Sequence, residues 1–476
     1  MATESPDTAL IEQLEEAGQS HLVRQLRELD TERAERLRQQ LRQLDWRRLR
    51  HWVDQYVLGD NPQPSLPQDI RPAAYHPLEP ASPDQRSLYE KAREQAENLL
   101  RNGEVAAFTV AGGQGTRLGF DAPKGTFPIS PVRKKSLFQL FAEAMLRAQE
   151  KHDVVLSWYI MTSPLNDADT REFFEEHDFF GLEPDQVMFF PQGTLPAVDF
   201  EGRVLLAAPD RLALSPDGHG GSLAAMRNSG ALDDMKERGI RHISYFQVDN
   251  PLVHVFDPLF IGLHALLGAE MSSRCLEKTG PTEKLGNFCL VDGTLCVVEY
   301  SDMPEELAEQ HTADGRLRFR PGSPAIHVLD RTFVERLTEG GLDLPVHRAV
   351  KKVPYVDSEG TRIEPKEPNA VKFEMFVFDA IPEAKDPLIL QADRDEQFAP
   401  LKNQTGPDSV DSVRDRMVRR AARWLEAAGI EVPREPDGTP ACVIELSPRT
   451  FLDRNDVLLH KESLRAPARN AQEVYE

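Results

Sequence analysis

The stretch Ala111 to Lys124 reads A-G-G-Q-G-T-R-L-G-F-D-A-P-K and directly follows the apolar run Val105-Ala-Ala-Phe-Thr-Val110. A run of that kind, bounded by glycine, reads as a buried parallel strand. Gly112, Gly113 and Gly115 leave the backbone after it without Cβ atoms, so peptide N–H groups can approach a ligand closely. Arg117 and Lys124 add the positive charge that a polyphosphate requires. The combination predicts a nucleoside triphosphate held at the carboxyl end of a strand in an open α/β sheet.

Spacing excludes the two commonest phosphate motifs. A dinucleotide fingerprint G-x-G-x-x-G fails because Leu118 stands at its third glycine, and no G-x-x-x-x-G-K-[ST] string occurs. The plain alternative is a tight strand-to-helix turn with an incidental cation. The register of Thr116, Arg117, Leu118, Gly119, Pro123 and Lys124 argues against it.

The rest of the chain is consistent with such a sheet. Strands are expected at 105–110, 155–161, 187–190, 242–248 and 271–276, with helices between them, which implies a doubly wound, mostly parallel α/β sheet. Ser136 and Gln139 form a candidate capping box for a helix running to Gln149. Gly239 is expected to stop a helix beginning near Leu223. Asp292-Gly293 sits between the apolar runs of 288–299 and predicts a type I′ hairpin. Further strands are expected at 325–329, 371–379 and 441–445, and a helix near 410–428. Leucines at helical spacing from Leu10 to Leu44, with Asp30-Thr31 as a break, predict a helical hairpin or short helical subdomain. Residues 62–83 are proline-rich and read as an extended connector. Three segments are therefore expected: 1–86, helical subdomain and connector; 87–383, the α/β domain that carries the nucleotide-binding turn; and 384–476, a small C-terminal α+β domain. A chain of 476 residues accommodates them.

Charge restricts the partners. Lys+Arg 56 against Asp+Glu 78 gives −22, which disfavours nucleic acid and anionic membranes. A polyanionic substrate then needs a local positive pocket. The four cysteines, Cys275, Cys289, Cys296 and Cys442, form no C-x-x-C pair and read as buried, reduced thiols without zinc. No apolar run reaches a membrane span, and Met1 to Thr8 lacks an apolar signal region, so the expected location is cytoplasmic. The expected state is a monomer or a weak homo-oligomer.

The A-G-G-Q-G-T-R-L-G…P-K string resembles the signature of sugar-1-phosphate nucleotidylyltransferases. Its form is similar to that of eukaryotic-type UDP-N-acetylhexosamine pyrophosphorylases, within the wider group that includes UDP-glucose pyrophosphorylases. Further segments resemble the family in family order: E-A-G-Q-S-H-L (16–22), P-D-G-H-G-G (216–221), V-D-N-P-L-V (248–253), E-K-T-G-P-T-E (277–283), V-V-E-Y-S-D (297–302), V-P-Y-V-D (353–357), F-V-F-D (376–379) and F-A-P-L-K-N (398–403). The resemblance implies a Rossmann-like nucleotidyltransferase sheet and a reaction between UTP and a sugar 1-phosphate, releasing pyrophosphate, with Mg2+ or Mn2+.

That reaction needs no general base. A phosphate monoester has a second pKa of about 6 and is already largely ionised at neutral pH. The protein must align two anions and stabilise the leaving group. Arg117 and Lys124 are the expected catalytic cations, and Lys372, inside the apolar run 371–378, matches a family lysine that contacts substrate phosphate. Lys402 also matches a family position. Asp249, at the end of the strand 242–248, matches the metal-binding aspartate, and a hard oxygen ligand suits magnesium. Gln192 matches the glutamine that reads uracil; an amide can pair with both a carbonyl and an N–H of a pyrimidine. Gly112, Gly113 and Gly221 match backbone contacts to the base, with Gly115 and Thr116 in the same turn. Gly218-His219-Gly220-Gly221 forms a second close-approach loop before a helix. Asn250 is expected beside the substrate, and Gly286 and Glu299 match positions lining the sugar.

Two departures bear on the sugar. Hexosamine members usually carry asparagine at the position of His219, whereas UDP-glucose enzymes commonly place histidine in the related loop. Gly322-Ser-Pro-Ala-Ile326 lacks both asparagines of a G-N-I-x-N-like string. Overall similarity implies N-acetylglucosamine 1-phosphate, with glucose 1-phosphate as the alternative. A sugar-nucleotide sensor without turnover is the non-enzyme reading. An NAD-dependent Rossmann enzyme is the third, disfavoured by the missing fingerprint.

Overall fold

The computed structural model describes residues 6–59, 69–357 and 359–476; the connector positions 62–68 and the first five residues lie outside them. Contacts group the chain into two units, one of residues 68–192, 222–342 and 380–476, the other of 1–67, 193–221 and 343–379. The chain passes back and forth between them, a course that contiguous sequence segments do not anticipate.

The first unit is built on a large mixed sheet. Its parallel part comprises β1 (Val105–Val110), β2 (Trp158–Thr162), β3 (Val187–Pro191) and β4 (His242–Gln247), ordered β4-β1-β2-β3. Phe108 lies opposite Tyr159 on one side and Tyr245 on the other. His327–Asp330 continues the sheet antiparallel to β4, followed by Met271–Glu277, Pro321–Ser323 and Gly286–Val291. The last pairs with Thr294–Val298 around Asp292 (φ 49°) and Gly293 (φ 84°). Positive φ at both positions is the expected type I′ turn.

Helices cover both sheet faces. On one, the helices Pro83–Arg101, Leu137–His152 and Pro258–Leu266 bury Leu99, Phe138, Phe141 and Phe260 with Trp158 and Phe246 in a single core. The first and third of these helices meet backbone to backbone: a side chain at Gly262 would overlap the main chain of Ala92. On the other face, the Tyr159 hydroxyl donates to Asp234 of the helix Ala231–Glu237. Ser136 accepts from the Gln139 N–H at 3.1 Å, but the Gln139 side chain turns to Glu143, so the cap forms without the box. The helix expected over 223–239 is two, Ser222–Asn228 and Ala231–Glu237, separated by Gly230 at φ 81°. Gly239 ends the second, as expected, at φ 76°. The C-terminal stretch contributes the helix Val410–Ala427 and the parallel strands Val443–Leu446 and Gln472–Tyr475, with a small core around Trp424, Ile444 and Phe451.

The second unit holds four short helices, the short helical subdomain rather than the hairpin of the two forms the leucine spacing allowed: Pro6–Glu16, Ser20–Glu28, Thr31–Arg42 and Trp46–Tyr56. Asp30 and Asp45 cap the last two by accepting from Arg33 N–H and Arg48 N–H. Leu10, Leu14, Leu22, Leu37, Leu41 and Leu49 are buried. Gln19 bonds the Gly202 carbonyl and the Val204 N–H, which ties the helices to the 193–221 segment. Strand Ala370–Glu374 pairs antiparallel with His347–Lys351 and ends sooner than the 371–379 run implied, giving way to a 3-10 segment from Val377.

Candidate active site

The glycine turn leaves β1 at its carboxyl end and folds back on itself. Gly115 N–H donates to the Ala122 carbonyl at 3.0 Å, and Lys124 N–H to the Gly113 carbonyl at 3.1 Å. This pairing swings Lys124 against Gly113, its Cε 3.9 Å from where a Gly113 side chain would begin. Thr116–Leu118 is a single 3-10 turn anchored by buried Leu118, which leaves Thr116 and Arg117 exposed. The N–H groups of Gly112, Gly113, Gln114 and Thr116 take no partner among the described residues. The Arg117 and Lys124 side chains form no ion pair there either.

Gln192 follows β3 and lies beside the turn. Its N–H donates to the Thr162 carbonyl at 2.9 Å, and its side-chain amide rests on the bare face of Gly112, with Oε1 2.9 Å from the position a Cβ would take. The amide is largely buried yet makes no hydrogen bond within the described residues. Asp249 follows β4, on the opposite side of β1, with a half-buried carboxylate free of hydrogen bonds and ion pairs among those residues. The Leu401 N–H bonds the Asp249 carbonyl at 2.8 Å, which brings the segment bearing Lys402 alongside. The unit thus gathers Gly112, Gly113, Thr116, Arg117, Lys124, Gln192, Asp249 and Lys402 around the carboxyl ends of neighbouring parallel strands.

Gly286 and Glu299 face each other at the end of their hairpin: Glu299 Oε1 lies 3.5 Å from the Gly286 Cβ position. Their strand is five places from β1 in the sheet order. Any ligand touching both the glycine turn and this pair is therefore extended.

The second unit carries the remaining candidates. Lys372 lies on the strand Ala370–Glu374, opposite Ala349, half-buried and without an ion pair among the described residues. Burial lowers its pKa; Glu374 opposes that shift and Lys351 adds to it. The loop 217–221 packs directly on the backbone of 375–377. Met375 N–H donates to the Asp217 carbonyl at 2.7 Å, and Gly220 N–H to the Met375 carbonyl at 2.8 Å. The Val377 N–H donates to His219 Nδ1 at 3.1 Å, and the His219 ring stacks on Phe376. Burial, then the nearby His347, pushes the His219 pKa down to about 4. His219 is therefore neutral at pH 7, and with Nδ1 accepting, its proton resides on Nε2.

Five of the expected site residues, Gly115, Gly218, Gly220, Gly221 and Asn250, also have partners within the protein. The Gly115 N–H is taken by Ala122, and Phe120 fills the space a side chain would need 2.8 Å away, so this glycine serves the turn. The Gly220 and Gly221 N–H groups are spent on Met375 and Gly218. Their missing side chains make room for the protein itself: a Cβ on Gly220 would lie 2.7 Å from the Phe376 backbone, and one on Gly221 would overlap the Asp217 carboxyl. Asn250 is buried, its amide donating to the Gln397 carbonyl and its oxygen accepting from Ala399 and Leu252 N–H. These bonds hold the loop behind Asp249. Gly218, at φ 87°, is likewise crowded on its bare face by Met375, 2.8 Å from the nitrogen.

Two residues escaped the sequence reading. Asp217 is 6% exposed, with Oδ1 unpartnered and its carboxyl wedged against the backbones of Gly193 and Gly221. Burial pushes its pKa up to about 7. Asn166 is fully buried beneath the glycine turn. Asp217 lay inside the D-G-H-G-G string, where an acid among glycines is the usable signal; Asn166 reads in sequence as an ordinary helix cap. Among the described residues no cluster of three metal-ligating side chains occurs, and no helix is long and apolar enough to cross a membrane.

Comparison with known proteins finds relatives along most of the chain. The family model described as UTP–glucose-1-phosphate uridylyltransferase matches residues 54–453. UDP-N-acetylhexosamine pyrophosphorylase-like protein 1 of Mus musculus is 37% identical over 464 residues, covering 92% of this chain and 91% of that protein. UDP-N-acetylglucosamine pyrophosphorylase of Saccharomyces cerevisiae is 40% identical over 342 residues, covering 69% and 71%. The structure of the uridine diphosphate N-acetylglucosamine pyrophosphorylase from Trypanosoma brucei, in complex with an inhibitor, superposes with a TM-score of 0.82 at 26% identity, covering 100% of this chain and 99% of that one.

Proposed function

The chain belongs to the UTP–glucose-1-phosphate uridylyltransferase family, and on that premise we propose that it joins UTP to N-acetylglucosamine 1-phosphate, forming the UDP-sugar and pyrophosphate. The observation that carries the reading is a set of four amides and three cations, Arg117, Lys124 and Lys402, without partners among the described residues and gathered on the parallel strand ends with the Gln192 amide against Gly112. Such a set suits a uracil at one end and a triphosphate at the other. The named relatives support the N-acetylglucosamine assignment.

The phosphate oxygen of the sugar 1-phosphate attacks the α-phosphorus of UTP. A new P–O bond forms as the bond to the β-phosphate bridging oxygen breaks, and pyrophosphate leaves with its electron pair. No proton need be removed from the nucleophile. Arg117 and Lys124 neutralise the triphosphate and the charge that develops on the leaving group. Lys372 is assigned to substrate phosphate; as a lysine whose charge burial already disfavours, it gains by meeting an anion.

Asp249 suits a magnesium ion, because its carboxylate is free and magnesium typically takes one or two protein carboxylates with substrate phosphates and water. Magnesium bound there would supply charge neutralisation for the phosphates. Manganese offers the same oxygen chemistry. Neutral His219, at the family position that usually carries asparagine, belongs with the sugar in this reading, and its presence favours glucose 1-phosphate as the second choice. The excess of acidic residues argues against nucleic acid as a partner, and a cytoplasmic monomer or weak homo-oligomer accords with the whole.

The test is direct. Protein, magnesium, UTP and a panel of sugar 1-phosphates are mixed and pyrophosphate is measured. Release with N-acetylglucosamine 1-phosphate supports the reading, and preference for glucose 1-phosphate replaces the sugar. UTP binding without release from any sugar indicates a sensor, and binding of NAD in place of UTP overturns the assignment.

A further inference from the structure

Two of the glycine-turn amides that take no partner among the described residues are oriented from beneath. Asn166 is the N-cap residue of the helix Asp167–Glu176, yet its side chain makes no capping bond to that helix. Asparagine is among the preferred cap residues because its oxygen ordinarily accepts from the first turn. Here the amide is diverted. Nδ2 donates to the Ala111 carbonyl at 3.0 Å and to the Gly113 carbonyl at 3.4 Å. Oδ1 accepts from Ser163 N–H at 2.7 Å and Ser163 Oγ at 3.0 Å. Both donors and both acceptor positions are used, and the Ser163 N–H fixes which end is oxygen.

In a trans peptide the carbonyl of one residue and the N–H of the next point in opposite directions. The peptide bonds of the turn are trans. Capturing the Ala111 carbonyl from below therefore turns the Gly112 N–H away from Asn166. Capturing the Gly113 carbonyl, which Lys124 N–H also bonds, turns the Gln114 N–H the same way. These are two of the four amides without an internal partner. We infer that Asn166 is a positioning residue for the nucleotide, fixing two backbone donors toward it while touching no substrate. The inference rests on the uridylyltransferase reading and adds to it the device that sets the cradle.

Asn166→Asp tests this, because it keeps the shape but sets oxygen lone pairs against two carbonyls. Asn166→Ala removes the amide. Ser163→Ala is a milder change that loosens the Oδ1 anchor alone, should the other two fold poorly. Asp169→Ala, in the exposed first turn of the same helix, is the control. UTP affinity is measured by titration calorimetry and both Michaelis constants by pyrophosphate release. The expected result is a rise of at least about tenfold in the UTP Kd and KM for Asn166→Asp and Asn166→Ala, and a smaller rise for Ser163→Ala. The KM for the sugar 1-phosphate stays within about twofold throughout, and Asp169→Ala matches the unsubstituted protein on every constant. A folded Asn166→Asp protein with unchanged UTP affinity overturns the inference alone, as does a parallel loss for UTP and sugar. Failure of the unsubstituted protein to bind UTP overturns the functional reading and this inference with it.

Discussion

Replacing Gly112 by alanine should weaken UTP binding without weakening the fold, whereas replacing Gly262 should do the reverse. Gly112 lies outside the left-handed region, so alanine meets no backbone strain. Its methyl group would lie 2.9 Å from Gln192 Oε1 and 3.1 Å from Cδ. Comfortable separations are about 3.5–4.0 Å, so the amide must retreat by roughly 0.6 Å. A flexible side-chain end moves cheaply, but the displaced amide no longer meets its ligand squarely. Two hydrogen bonds of about 0.5–1.5 kcal/mol each are at stake, giving roughly a 5- to 150-fold loss in UTP affinity. At Gly262 the obstacle is the Ala92 main chain, whose Cα lies 3.0 Å from the Cβ position. Backbone cannot step aside, and such overpacking costs about 1–3 kcal/mol of stability. Thermal unfolding and UTP titration on both variants separate the effects. A Gln192→Ala background supplies the decisive comparison: once the amide is gone, Gly112→Ala should add little. Additive losses in the double variant, or a Gly112→Ala protein that binds UTP normally, would refute the reasoning.

Arg117→Ala and Lys124→Ala should each lower kcat at least about tenfold, the equivalent of ~1.4 kcal/mol of transition-state stabilisation; unchanged turnover in folded protein removes them from the mechanism. Asp249→Asn should raise the magnesium concentration needed for half-maximal turnover, read from a metal titration, and an unaltered requirement would reassign the metal ligand. The Asp217 carboxyl, pushed by burial up to about 7 from 3.8, holds its proton in the folded chain where the unfolded chain has lost it. Its stabilising contribution is complete below pH 3.8 and is lost as pH rises through about 7. Asp217→Asn should therefore raise the Tm relative to the unsubstituted protein more at pH 8 than at pH 5, and equal shifts at both would contradict a buried, protonated acid.

Much of this architecture follows from patterns that one stretch of sequence contains. The run Val105–Val110 is apolar throughout and became the central strand, and Asp292-Gly293 required the positive φ pair that closes its hairpin. Lys124 stands beside Gly113 because the turn carrying both is itself local. What stayed hidden depends on segments far apart in sequence. Asn166 bonds carbonyls 55 and 53 positions earlier, which no helix-cap pattern announces. Asn250 carries the composition of a ligand contact, but its partners are backbone groups near residue 398. A missing Cβ says only that something comes close; at Gly220 and Gly221 that something is the protein.

The charge distribution explains how an acidic chain can hold a polyanion. A net charge of −22 acts at long range, where salt screens interactions beyond about 8 Å at physiological ionic strength. In the proposed function Arg117, Lys124 and Lys402 act at contact, where screening is weak, and none is neutralised by a carboxylate of the described residues. The backbone amides add partial positive charge that no distant acid can titrate away, and Asn166 sets the direction of two of them from below. Ion pairs would have made these cations easier to keep in the empty protein and less useful to a phosphate. Leaving them unpaired places their full interaction at the disposal of the ligand, and in a nucleotidyl transfer with an already ionised nucleophile that interaction is the main thing catalysis requires.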